Sequence, residues 1–301
     1  MTDRYVGRFA PTPSGPLHFG SIVAALGSYL QAKKNHGKWL VRIEDIDTPR
    51  IQPGAIEAIL GTLERLCLHW DGEILIQSQR ISVYTDILQQ LEKNGLVYPC
   101  ICPRRLTKGT PYPGTCRNGV KTNRKSAALR IRVIPESAGF NDRIQGTFTQ
   151  HLENDVGDFV LKRSDGLVAY HLAVVIDDEM QGITEIVRGC DLLDSTPRQI
   201  YLQNILKYKT PAYVHLPIAA NEQGLKISKQ NHAPGVNVKK GVKALYKALE
   251  FLGQRPDILL LDSDIQDVVN WGVEHWDISK VPAQTSIQTD KNFFATSHRR
   301  S

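Results

Sequence analysis

The sequence predicts an α/β fold built on a parallel sheet, and three observations carry that expectation. Short β-rich runs alternate with longer stretches of helical periodicity. The first such run passes through prolines and glycines straight into a helix. The alternation is interrupted over residues 98–132, where cysteines, prolines, glycines and basic residues replace the periodic pattern, and then it resumes.

Taken in order, residues 4–10 read as a strand and 20–33 as a helix, because Ile22, Val23, Leu26, Tyr29 and Leu30 recur at helical spacing. Residues 38–43 are a second strand, stopped by Glu44-Asp45-Ile46-Asp47. Helices follow at 55–67 and 82–94, the latter closed by Gly95. After the interruption come a strand at 158–162, a tight turn at Asp165-Gly166, and an apolar run at 169–176 that suits either helix or strand. A strand at 182–187, a helix at 195–206 opened by Thr196-Pro197, and a strand at 215–219 complete the alternation. Beyond Val236 the pattern is helical, with Val242, Leu245, Tyr246, Leu249 and Leu252 on one face. The polar tail from Pro282 is expected to be loosely held.

The chain has 301 residues, 41% hydrophobic and 23% charged, enough for one large domain with insertions or two modest ones. No stretch approaches the apolar length of a membrane span, and the N-terminus lacks a signal peptide's apolar run. A cytoplasmic protein with no membrane partner is therefore expected. The net charge of +6 suits a polyanionic partner. Five cysteines form an odd, sparse set that argues against a disulfide framework.

Two segments carry the chemistry. In Pro11-Thr12-Pro13-Ser14-Gly15-Pro16-Leu17-His18-Phe19-Gly20-Ser21, a glycine-containing turn opens a helix, whose free N–H groups and partial positive charge favour phosphate. His18 can donate to a phosphate whose charge grows in the transition state. Lys226-Ile227-Ser228-Lys229-Gln230 adds two lysines. Together they suit a reaction in which a carboxylate attacks the α-phosphate of ATP and pyrophosphate leaves. Glu44, just past a strand end, stands where ligands bind in open α/β sheets. Arg8 and Arg188 can bind carboxylate, and Tyr170 can add a phenolic hydrogen bond.

Cys100, Cys102 and Cys116 offer three thiolates to a zinc ion that wants four ligands. No His, Asp or Glu lies between Glu92 and Glu136, so the fourth is Tyr112, a water or a distant residue. Around them stand Arg104, Arg105, Lys108, Arg117, Lys121, Arg124, Lys125, Arg130 and Arg132, a basic run expected to track an RNA backbone.

The run from Arg8 to Gly20 closely resembles the signature of class I aminoacyl-tRNA synthetases of the glutamyl/glutaminyl group. His18-Phe19-Gly20-Ser21 stands where that family has its HIGH tetrapeptide, with Ser21 in place of the final histidine. Lys226-Ile227-Ser228-Lys229-Gln230 stands where it has KMSKS, with Gln230 in place of the last serine. Residues 42–47 and 182–189 also resemble internal blocks of the group, and the likeness covers roughly the first 235 residues.

The resemblance implies a Rossmann-type catalytic domain with an inserted zinc-binding subdomain and a small helical C-terminal domain. The boundaries expected are 1–97 with 133–235, 98–132, and 236–301. It implies His18, Lys226 and Lys229 as catalytic groups, and Pro11, Gly15, Gly20, Ser21 and Ser228 beside them at ATP, which brings Mg²⁺. It implies Arg8, Ala10, Thr12, Glu44, Tyr170 and Arg188 around L-glutamate.

The Cys-x-Cys…Tyr-x-x-x-Cys pattern resembles the glutamyl-queuosine tRNA(Asp) branch, where Cys100, Cys102, Tyr112 and Cys116 would hold one structural zinc. About seventy residues follow the lysine segment, too few for an anticodon-reading domain. That branch activates glutamate without tRNA and esterifies queuosine in the anticodon of tRNA(Asp). A monomer is expected. The alternatives are a short enzyme charging a tRNA 3′ end and a catalytically silent RNA-binding paralogue.

Overall fold

The computed structural model describes residues 4–103, 111–120, 126–134, 137–221 and 241–289. A parallel three-stranded sheet opens the chain: β1 (Val6–Phe9), β2 (Lys38–Ile43) and β3 (Leu75–Ile76) run side by side in that order. The helices between them are α1 (Phe19–Lys34) and α2 (Ala55–Arg65), and α3 (Ile81–Lys93) follows. Eleven of the sixteen residues of α1 are buried, so this helix runs through the interior rather than along the surface.

An antiparallel sheet comes next. It pairs β4 (Val97–Cys100) with β5 (Ala128–Ile131), and β5 with β8 (Val160–Lys162). Between β5 and β8 lie a hairpin, β6 (Ser137–Asp142) with β7 (Gly146–His151), and a single turn of helix, α4 (Leu152–Asp155). The hairpin's β6 joins a second parallel set, in which α5 (Tyr170–Met180) leads to β9 (Glu185–Gly189) and α6 (Thr196–Leu206) to β10 (Ala212–Leu216). The apolar run at 169–176 is thus helix. Thr184 ties the two parallel sheets together: its N–H donates to the Val6 carbonyl (2.9 Å), and its own carbonyl accepts from Ala212 (2.9 Å).

The strand expected at 215–219 is divided at Pro217, which has no N–H to give a ladder. β10 ends before it and β11 (Ile218–Ala220) begins after it. The segment from Pro282 is not loose throughout, because β12 (Ser286–Gln288) pairs in parallel with β11. Helices α7 (Gly241–Phe251) and α8 (Ile265–His275) bury Leu245, Leu249, Val268 and Val269 in the same core as Ile22, Leu26 and Leu30 of α1. No described helix is long and apolar enough to cross a membrane.

Candidate active site

The turn after β1 is held open by its neighbours. The Glu44 N–H donates to the Pro11 carbonyl (3.0 Å) and the Gln52 N–H to that of Pro13 (3.0 Å), so the turn is pinned to the exit of β2. Gly15 has φ of 124°, a conformation that glycine alone adopts without strain. His18 caps α1: its Nδ1 accepts the Ser21 N–H at 3.3 Å, and its Nε2 lies 3.2 Å from the Ser21 hydroxyl. With Nδ1 accepting, the neutral ring carries its proton on Nε2.

A cavity of about 840 Å³ opens above this turn. Pro11, His18, Gly20 and Ser21 line it, together with Leu216 to Ala219. Gly15 is not in the wall; it shapes the turn beneath. Lys226, Ser228 and Lys229 lie outside the described residues.

A second cavity, about 570 Å³, adjoins the first and shares Phe9, Ala10, Thr12, Ala24, Arg50, Gly189 and Asp191 with it. Arg8, Ala10, Thr12, Glu44, Tyr170 and Arg188 all line it. These six come from four separate segments, meeting at the C-terminal ends of parallel strands, where open α/β sheets bind ligands.

Buried carboxylates prepare the cations of this cavity. Asp178, on α5, takes the Nε of Arg8 at 3.1 Å and the Nη2 of Arg42 at 2.8 Å. Burial alone would raise its pKa, but the two guanidiniums outweigh that and hold it below the usual range. Glu44 moves the other way: its burial dominates over the attraction of Arg42 and Arg8 and pushes its pKa up. Burial likewise raises Tyr170. Arg188 donates its Nη1 toward the Tyr170 hydroxyl (3.5 Å) and its Nη2 to Thr196 (2.7 Å). Four arginines (Arg8, Arg50, Arg163, Arg188) face three carboxylates (Glu44, Asp47, Asp191) around the cavity, a formal excess of one positive charge.

Sequence reasoning missed Arg42, Arg50, Asp178 and Asp191. Arg42 belongs to the 42–47 block, and its side chain is fully buried. Asp191 stands three residues beyond Arg188. Asp178 has no such local signal, since its partners are 170 and 136 positions away.

The cysteine cluster closes as a separate centre. The Sγ atoms of Cys100, Cys102 and Cys116 lie within 4.8 Å of one another, with 3.6 Å between Cys102 and Cys116. The Tyr112 oxygen stands 3.3 Å from Cys100 Sγ and 3.6 Å from Cys102 Sγ. A tetrahedral zinc with bonds of about 2.3 Å to sulfur and about 2.0 Å to oxygen has S–S edges of about 3.8 Å and S–O edges of about 3.5 Å. The donor set therefore fits. Burial would raise the Cys116 thiol, yet hydrogen bonds with Tyr112, the Ile101 backbone and the neighbouring thiols bring it down to about 7. Tyr112 is seated by Gly157 (φ 69°), where any side chain would strike the Tyr112 main chain.

Three of the basic residues expected to face RNA are engaged by groups of the protein itself. Arg117 makes a two-pronged pair with Asp158 (2.6 Å each), Arg130 is buried on the Asp158 carbonyl (2.6 Å), and Arg132 bonds the carbonyls of Gly95 and Arg117. They brace the antiparallel sheet. Arg104, Arg105, Lys108, Lys121, Arg124 and Lys125 lie outside the described residues.

Comparison with known proteins adds three findings. The family profile described as tRNA synthetases class I (E and Q), catalytic domain, matches residues 5–109 and 114–252. A protein of Dechloromonas aromatica strain RCB is 50% identical over 297 residues, covering 95% of this chain and 99% of that one; one of Pseudomonas aeruginosa PAO1 is 48% identical, covering 97% and 100%. Both bear the name glutamyl-Q tRNA(Asp) synthetase. Among solved structures, a glutamate-tRNA synthetase of Elizabethkingia anophelis superposes with a TM-score of 0.81 at 23% identity, over 97% of this chain and 69% of that one. A glutamate tRNA ligase of Elizabethkingia meningosepticum CCUG26117, solved in complex with its amino acid, gives 0.79 at 23% identity, over 94% and 66%. At that identity the likeness establishes the fold.

Proposed function

The chain belongs to the class I tRNA synthetases of the E and Q type, and from that premise we propose that it activates L-glutamate with ATP in the absence of tRNA and transfers it to the queuosine base of tRNA(Asp). The relatives at about half identity are named glutamyl-Q tRNA(Asp) synthetase, which supports the transfer to tRNA(Asp). The observation that carries the reading is the convergence of Arg8, Ala10, Thr12, Glu44, Tyr170 and Arg188 on one cavity that shares its wall with the cavity at His18.

Glutamate would occupy the second cavity, with Glu44 receiving the ammonium and Arg8 and Arg188 the carboxylates. The excess of one positive charge in that wall complements the single net negative charge of glutamate. A neutral glutamine would leave a buried guanidinium without its counter-ion. The triphosphate would lie in the first cavity against Pro11, His18, Gly20 and Ser21, on the N-terminus of α1. Mg²⁺ accompanies it as part of the substrate.

A carboxylate oxygen of glutamate attacks the α-phosphorus, the bond from that phosphorus to the bridging oxygen breaks, and pyrophosphate leaves with the electron pair. The Nε2 proton of His18, with Lys226 and Lys229, would stabilise the charge that develops. That the strand leading toward the lysine segment lines the same cavity as His18 supports their reaching the same phosphates. A cyclopentene hydroxyl of queuosine then attacks the acyl carbon, an ester forms, and AMP leaves.

Zinc held by Cys100, Cys102, Tyr112 and Cys116 would cross-link an insertion with little core of its own. We divide the chain into a catalytic domain (1–97 and 133–235), the inserted subdomain (98–132) and a C-terminal helical segment (236–301), working as a monomer.

Glutamate-dependent ATP–pyrophosphate exchange without tRNA tests the first half. Labelled glutamate offered separately to queuosine-containing tRNA(Asp) and to unmodified tRNA(Glu) tests the second. Label is expected on the former, and label on tRNA(Glu) defeats the assignment.

A further inference from the structure

Behind Arg188 stand two buried groups, His215 and Asp142, neither of which itself lines the cavity. The Arg188 Nε donates to His215 Nε2 at 3.1 Å, and His215 Nδ1 lies 2.7 Å from Asp142 Oδ2. The Asp142 and His215 side chains are fully buried. The other Asp142 oxygen accepts the N–H groups of Ile144 and Gln145, each at 2.9 Å, so the carboxylate is itself fixed. A guanidinium is only ever a donor. The ring atom facing Arg188 must therefore accept, which leaves His215 neutral with its proton on Nδ1, donated to Asp142.

The surroundings keep it in that form. Burial, with Arg188 and Arg8 nearby, lowers the His215 pKa, while Asp142 alone opposes. Tyr213 stacks on the ring at 6.1 Å, and Thr196 lies 3.1 Å from Nε2. Three elements thus meet on one cation: the β6–β7 hairpin through Asp142, β10 through His215, and β9 through Arg188.

We propose that Asp142 and His215 are positioning residues of the glutamate site: Asp142 sets the tautomer of His215, and His215 aims Arg188 into the cavity. The proposal rests on the function given above. It assigns a purpose to the hairpin, which otherwise lies apart from the site.

The test is glutamate-dependent ATP–pyrophosphate exchange in the wild type and in His215→Asn, His215→Gln and Asp142→Asn, with thermal melts alongside. Asparagine can replace only the ring atom facing Asp142, whereas glutamine reaches the place of Nε2 and restores an acceptor for Arg188. Losing one charge-assisted hydrogen bond corresponds to about a ten- to hundred-fold change. His215→Asn is therefore expected to raise the KM for glutamate by that factor, with the KM for ATP and kcat held within about threefold. His215→Gln regains most of the loss. Asp142→Asn raises the glutamate KM as well, because an amide can donate to Nδ1 and move the proton to the side facing Arg188; it decides the matter if the His215 variants do not fold.

Equal glutamate KM values in the asparagine and glutamine variants overturn the proposal, and so does a rise in the ATP KM in step with that for glutamate. A wild-type protein that exchanges normally beside such variants leaves the function standing and removes only the positioning role. A wild type without exchange removes both.

Discussion

Replacing Asp178 with asparagine removes one charge and keeps the shape. In the native protein that carboxylate is the counter-ion of two guanidiniums, Arg8 at 3.1 Å and Arg42 at 2.8 Å, and all three side chains are at most 4% exposed. Glu44, 3.5 Å from Arg42, and buried Asp177 are further acids acting on Arg42. Breaking a buried ion pair by removing one partner costs about 3–5 kcal/mol, because the other charge stays desolvated. An amide oxygen still accepts one hydrogen bond, so the lower end, about 3 kcal/mol, is expected. With a urea m-value of about 3 kcal/mol/M for a chain of this size, the unfolding midpoint falls by about 1 M.

The pH dependence gives an independent check with a definite sign. The folded pKa of Asp178 is depressed, so its contribution is present above the unfolded carboxylate pKa of about 3.9 and is lost as pH falls through the folded value. The gap between wild type and Asp178→Asn should be full at pH 7 and should close below about pH 4. Urea unfolding followed by circular dichroism at pH 7 and pH 3 measures both quantities. A midpoint shift at pH 7 smaller than about 0.3 M, or a gap unchanged at pH 3, refutes the view that this carboxylate holds the two arginines.

Further outcomes are expected at neighbouring positions. Glu44 has a raised pKa, so its stabilising contribution is full below the unfolded carboxylate value and is lost as pH rises through the folded value; Glu44→Gln should raise the melting temperature at high pH while raising the glutamate KM, and a lowered melting temperature would contradict this. His18→Ala should cut the exchange rate by about 10²–10³ with little change in glutamate KM, measured by steady-state exchange. Tyr112→Phe keeps the ring but removes the oxygen beside Cys100 and Cys102, and should weaken zinc at least tenfold in a chelator competition; unchanged affinity would assign the fourth place to another group.

Much of the fold was legible because its signals are local. The strand over 38–43 and the helices over 20–33, 82–94 and 195–206 follow from periodicity and stop signals that lie within a few residues of each other. What escaped had no such signal. β3 and β12 have two and three residues, too short to show an alternation. The β7 strand of the hairpin, Gly-Thr-Phe-Thr-Gln-His, is at most half-buried along its length, so no apolar face distinguished it from a loop. The engagement of Arg117 and Arg130 escaped because their acceptor, Asp158, belongs to a different run of sequence.

The same contrast runs through the site and says something about how it works. Most residues that line the cavity sit in recognisable blocks, because Arg8, Ala10, Thr12, Glu44 and Arg188 occupy strands or the turns that follow them. The residues that aim them, Asp178 and the pair Asp142 with His215, come from segments far away in sequence: Arg8 and Asp178 are 170 positions apart, Asp142 and His215 are 73. Each places a buried acid behind a buried cation, so the cation is partly neutralised and fixed before any substrate arrives. Left to itself, a guanidinium on a strand end would swing toward solvent, and ordering it at binding would cost about 2 kcal/mol of side-chain entropy. Held from behind, Arg8 and Arg188 already stand in the wall of the cavity, and the entropy lost in ordering them belongs to folding rather than to binding.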